Sequence, residues 1–158
     1  MALLCSTGKC AGGGLLREPD RVDRILGELR SAITTKFTVK TRIGFATADE
    51  FDRLLPIFAR HSLDALTVHG RTVAQGYRLP VDYGRIRQAV GAMPCPVIAN
   101  GHVYSAAQAA DVLAQTGARG DALVDGLDAG GREERPVVRR AASRRLRKTC
   151  DDHHAQPT

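Results

Sequence analysis

Short β-rich runs alternate with amphipathic helical stretches along most of this 158-residue chain, and that alternation limits the fold more than any other feature. Pro19 opens the first helical stretch, and Val22, Ile25, Leu26, Leu29 and Ile33 recur at helical spacing over about 18–32. Residues 37–43 read as a strand, with Phe37, Val39 and Ile43 on alternate positions opposite Lys40 and Arg42. A second helix over 48–61 carries Phe51, Leu54, Leu55 and Phe58 on one stripe, and Pro56 inside it predicts a kink or a late start. Strands over 63–68 and 97–99 follow, separated by a short helix over 82–90. Ser105 caps a fourth helix over 106–115 that turns Val112 and Leu113 inward and stops at Gly117, and 121–124 offers a fourth strand.

Strands joined by helices of this length imply right-handed βαβ units and a parallel sheet. Two α/β architectures satisfy the pattern, a doubly wound sheet and a (β/α)8 barrel. A whole barrel takes about 250 residues, so this chain has the length of roughly half of one. In both architectures the ligand sits at the carboxyl ends of the strands. Lys40, His69 and Asn100 all stand there.

Composition removes several functions. No apolar run approaches the ~20 residues that span a bilayer, and the N-terminus lacks a basic start, so the cytosol is the expected compartment and no membrane partner is expected. Aromatic residues make up 4% with no Trp, too few for a platform of several stacked bases. Cys5, Cys10, Cys95 and Cys150 have neither zinc-site nor disulfide-framework spacing. Of the net charge of +6, residues 132–158 carry +4, eight Lys/Arg against four Asp/Glu. The basic character therefore belongs largely to a tail, which would contact an anionic polymer as a flexible arm or an irregular helix.

Each strand end admits a chemical and a plain reading. Lys40 is either a cation aimed at a phosphate, a ribityl hydroxyl or an anionic ring, or a strand-end lysine with its head in water. His69 is a donor to a ligand, a general acid or base, or a structural histidine, and no second ligand stands near it at metal spacing. Asn100-Gly101-His102 offers backbone N–H groups suited to a phosphate, and Asn-Gly is also a common turn. Arg71, Arg78, Arg85 and Arg87 lie in or near the loop after the second strand, where they meet RNA phosphates or water.

The set of motifs in this order resembles the tRNA-dihydrouridine synthases. The residues that carry the resemblance are Gly12-Gly13-Gly14-Leu15-Leu16-Arg17-Glu18-Pro19, Thr38-Val39-Lys40-Thr41-Arg42-Ile43-Gly44, Val68-His69-Gly70-Arg71-Thr72 with Gln75-Gly76-Tyr77, and Pro96-Val97-Ile98-Ala99-Asn100-Gly101. They run from about Lys9 to Gly120. The resemblance implies a (β/α)8 barrel with FMN at its C-terminal mouth, NADPH as reductant, and uridine in tRNA as the substrate reduced to dihydrouridine. It implies that Lys40 and His69 contact the flavin, that Asn100, Gly101 and His102 hold its phosphate, and that Arg71 and Arg78 lie towards the RNA.

Some family features have no counterpart. The family's acid is a cysteine in a Gly-Cys-Pro motif, which this sequence lacks; Cys10 adjoins the glycines at a non-catalytic position, and Cys5, without a following proline, is a poor substitute. The opening strands, the Gly-Arg-Gly phosphate loop expected after Gly120 and the C-terminal helical domain are likewise unmatched. The expectation is a partial FMN barrel over 1–131 with a basic tail over 132–158, weakly active or inactive alone, whose bare barrel edges favour self-association. Two alternatives stay open: a non-catalytic remnant that associates with RNA, and another FMN barrel oxidoreductase acting on a small molecule.

Overall fold

The computed structural model describes residues 11–122, so Cys5, the 131/132 boundary and the basic tail lie outside the described residues. A 3-10 helix, Gly12–Arg17, leads into α1, Pro19–Ala32. Then come β1, Thr38–Arg42, α2, Phe51–Arg60, and β2, Ala65–His69. They are followed by α3, Tyr83–Ala92, β3, Val97–Asn100, α4, Ala106–Thr116, and β4, Gly120–Ala122.

The four strands are all parallel and stand in the order β1-β2-β3-β4. A doubly wound sheet reverses its order part-way. This one does not, and successive helices pack on one another, α1 on α2, α2 on α3 and α3 on α4. That is the winding of a (β/α)8 barrel.

The register sorts the side chains. Leu66 pairs with Val97 and Val68 with Ala99, and all four are buried beneath the helix layer. The alternate residues face the other way, as the strand period of two requires. Lys40 is level with Thr67, which is level with Ile98; Arg42 is level with His69, which is level with Asn100. The core beneath the helices is formed by Phe51, Leu54, Leu55, Ile57 and Phe58 of α2 with Val22, Leu26, Ile86, Ala89 and Val112 of its neighbours.

The helix limits have local causes. Thr47 and Glu50 form a reciprocal capping box on a 3-10 turn, Ala48–Glu50, so the α-helix proper starts late, at Phe51, with Pro56 inside it. The Ser105 hydroxyl accepts from the Gln108 N–H at 3.2 Å, and Gly117 ends α4 in the left-handed region at φ 73°. Val112 is buried as expected, whereas Leu113 is only half-buried. The run Gly12-Gly13-Gly14, which as sequence reads as a loop, instead opens the 3-10 helix Gly12–Arg17. Phe51 has no exposed surface, so Phe51→Ala is expected to cost about 3–5 kcal/mol and Ser105→Ala about 1 kcal/mol, both measured by urea unfolding.

Candidate functional site

Arg42, His69 and Asn100 end three neighbouring strands on the face away from the helices. The loop after β2 folds back over them. Its first turn is locked by a reciprocal pair, the Thr72 N–H donating to Gln75 Oε1 at 2.8 Å and the Gln75 N–H donating to Thr72 Oγ1 at 3.2 Å. Two further bonds tie it to the loop after β1, Val73 N–H to the Gly44 carbonyl at 3.0 Å and Ala74 N–H to the Phe45 carbonyl at 2.8 Å. Arg42 Nη1 donates to the Thr72 and Gly76 carbonyls at 2.9 and 3.3 Å.

Arg71 is the unusual member. It is 3% exposed, and its Nε donates to the Leu79 carbonyl at 2.5 Å. Nη1 lies 3.4 Å from His69 Nε2 and Nη2 lies 3.4 Å from His102 Nδ1. Among the described residues no carboxylate pairs with it. A buried guanidinium keeps its charge, and a buried charge is normally matched by an opposite one. Among the described residues the charge of Arg71 is left open to an anion.

His69 is buried, and its pKa is pushed down to about 4, first by burial and then by the charges of Arg42, Arg71 and Lys40. It is neutral at ordinary pH. Because an arginine can only donate, its contact assigns Nε2 as acceptor and leaves the proton on Nδ1. Gly101, at φ +123°, brings the chain against this ring: a Cβ there would lie 3.1 Å from His69 Cδ2 and 3.2 Å from Nε2. His102 is exposed and also holds positive φ, 60°, a backbone state uncommon for a residue with a side chain. Tyr77, 76% exposed, stands over the group, its ring centroid 5.8 Å from that of His69 and near the guanidinium carbons of Arg42 and Arg71.

Of the residues singled out in the sequence, His69, Arg71, Asn100, Gly101 and His102 converge. Lys40 is exposed one layer down the same face, its charge felt at His69. Arg78 is exposed and donates to the Ala74 carbonyl. Arg85 does not join them; it pairs with Asp49 and Asp52 between α2 and α3. Two members were missed, Arg42 and Tyr77. The alternation with Lys40 was the signal for Arg42. Among the described residues no cluster of His, Cys, Asp or Glu could hold a metal, and no helix is long and apolar enough to cross a membrane.

A family model described as dihydrouridine synthase matches residues 5–154. The chain belongs to the dihydrouridine synthase family. The match extends past Gly120 into the stretch read above as a separate tail. The chain is 39% identical over 125 residues to tRNA-dihydrouridine synthase B of Vibrio cholerae, covering 78% of this chain and 38% of the relative. It is 40% identical over 126 residues to tRNA-dihydrouridine synthase B of Xanthomonas axonopodis pv. citri, covering 77% and 36%. The protein of the same name from Escherichia coli K12 is 38% identical over 125 residues. The chain thus spans little more than a third of the length of these relatives. Within the family, the four parallel strands are part of a (β/α)8 barrel.

The depressed pKa of His69 gives a pH test. The unfolded chain binds more protons than the folded one between pH 6.5, the ordinary value, and about 4. Stability from this group is therefore full above pH 6.5 and declines as the pH falls towards 4. His69→Gln is expected to flatten the stability profile in that window, read from urea midpoints measured at successive pH values.

Proposed function

We propose that this chain supplies part of the site of an FMN-dependent tRNA-dihydrouridine synthase. The observation that carries the reading is the buried Arg71, which has no carboxylate partner among the described residues and lies against His69 and His102. Such a set suits a ligand with a phosphate and a ring that can carry negative charge, and FMN has both. Lys40 and His69 would contact the flavin, and Asn100, Gly101 and His102 its phosphate. When bound, the flavin, reduced by NADPH, supplies the hydride that goes to C6 of a uracil ring.

The chain's own residues do the positioning. His69, uncharged, offers its Nδ1–H as a hydrogen-bond donor rather than a full positive charge. Arg71 holds the other nitrogen of that ring and so fixes its tautomer. Lys40 and Arg42 leave the face strongly cationic, which favours the anionic form of a ring placed there. A uridine must leave its stack to reach such a site, and Arg78, exposed on the same loop, would meet an RNA phosphate. No described residue is assigned to protonation of C5; Cys5 lies outside them.

FMN titration of the purified chain, followed by flavin fluorescence, tests the reading. Binding is expected to be weak, and Arg71→Ala and Lys40→Ala are each expected to weaken it further, Arg71→Ala by at least about tenfold. Unchanged affinity in both variants would sink the assignment, and salt-sensitive RNA binding without flavin would favour the non-catalytic alternative. With tRNA, FMN and NADPH the chain alone is expected to lack normal turnover, and robust dihydrouridine formation would count against a partial site.

A further inference from the structure

A second cationic feature lies on the same rim, away from the His69 cluster. Leu16, Arg17, Pro19, Phe45, Ala46, Glu50 and Arg53 line a groove of about 360 Å³ at the C-terminal end of β1. The guanidinium carbon of Arg17 sits 3.6 Å from the centroid of the Phe45 ring, in direct stacking contact. Arg17 is an exposed residue and lines the groove. Arg53 is exposed as well.

Neither arginine has a carboxylate partner among the described residues. The one acid in the groove is already committed: Glu50 Oε2 accepts from Phe45 N–H at 2.5 Å, and Oε1 accepts from Ala46 and Thr47 N–H at 3.1 and 3.3 Å. Those bonds set the loop that carries Phe45. They also leave Glu50 unfree to swing onto either guanidinium.

The groove shares a frame with the cluster. The Phe45 carbonyl accepts from Ala74 N–H, in the loop that begins with Arg71. Gly13, in the 3-10 helix that ends at Arg17, lies so close to Val73 that a Cβ on it would come within 2.6 Å of a Val73 methyl. The groove and the strand-end cluster are therefore carried on loops that are tied to one another.

We propose that this groove is a stacking subsite for an unpaired nucleotide of the RNA substrate. The base lies on the open face of Arg17, so that Phe45, Arg17 and base form a three-layer stack, and Arg53 meets the adjoining phosphate. Single-stranded RNA bases stack on arginine planes as well as on aromatic rings. The volume holds one base with its ribose, and a lone stacked pair needs no aromatic platform. This inference rests on the tRNA reading above.

The test is fluorescence anisotropy of a labelled, unmodified tRNA transcript with the full chain over a series of salt concentrations. Arg17→Ala is expected to weaken binding at least about fivefold. Arg17→Lys, which keeps the charge and loses the plane, is expected to do nearly as much. Arg53→Gln is expected to reduce the slope of log affinity against log salt by about one. FMN titrations should be unchanged in all three, and circular dichroism checks that each is folded. If the parent chain binds tRNA and Arg17→Ala and Arg53→Gln bind it equally well, the subsite is refuted and the tRNA reading stands. Full affinity in Arg17→Lys refutes the stack, and absence of tRNA binding by the parent chain removes both readings.

Discussion

Parallel register under a single layer of helices is the constraint on which the rest of the molecule depends. Leu66, Val68, Val97 and Ala99 are fully or almost fully buried on one face of the sheet. Burying a Leu or Val side chain is worth about 1.5–3 kcal/mol, and a slip of one residue would export the whole set to the opposite face. Arg42, His69 and Asn100 are thereby forced side by side on the other surface. Repulsion between two charges 4 Å apart runs from about 1 kcal/mol in water to about 4 kcal/mol near a protein surface. The summed burial of the helix-facing side chains exceeds it, so the fold can hold a row in which the charges of Lys40, Arg42 and Arg71 crowd His69.

Within that row the charges are not equivalent. Arginine cannot give up its proton under protein conditions, and histidine can. The field of Arg42, Arg71 and Lys40, added to burial, is therefore relieved at His69, the group that yields most cheaply. A neutral His69 is also what Arg71 needs, because only an unprotonated ring nitrogen can accept its hydrogen bond. The low pKa and the Arg71 contact are two consequences of one arrangement. Gly101 completes it by letting the chain lie against the ring, where a side chain would press on Cδ2 and Nε2.

How much of this could be read from the sequence follows the range of each interaction. The strands and helices were legible because their signals are local: alternation in residues 37–43, the Ser105 cap, the Gly117 stop. The convergence of His69 and Asn100 was legible too, since strands of a parallel sheet deliver their carboxyl ends to one rim. The burial of Arg71 was not. Its guanidinium is held by Leu79, eight residues on, and by His102 across the rim, and neither partner has a period that pattern reading could detect. The 3-10 helix at Gly12–Arg17 was hidden for the same reason, since a triple glycine reads as a loop until Val73 is seen against it. The order of the strands, which decides between a doubly wound sheet and a barrel, is a global property that no single βαβ unit encodes.

The two loops of the rim behave as one element because each satisfies backbone groups of the other. Val73 and Ala74 donate to Gly44 and Phe45, Arg42 ties down Thr72 and Gly76, and the Thr72–Gln75 pair closes the turn without outside help. Ordering a mobile side chain on binding costs about 0.5–1.5 kcal/mol, a cost these loops have largely met before a ligand arrives. The remaining cost is electrostatic, held in cations that lack counter-charges among the described residues. An anion that enters removes part of that repulsion and, binding only the folded chain, stabilises it by RT ln(1 + [L]/Kd). Ligand affinity and the stability of this rim are therefore one coupled quantity, set by how many of its charges are left open.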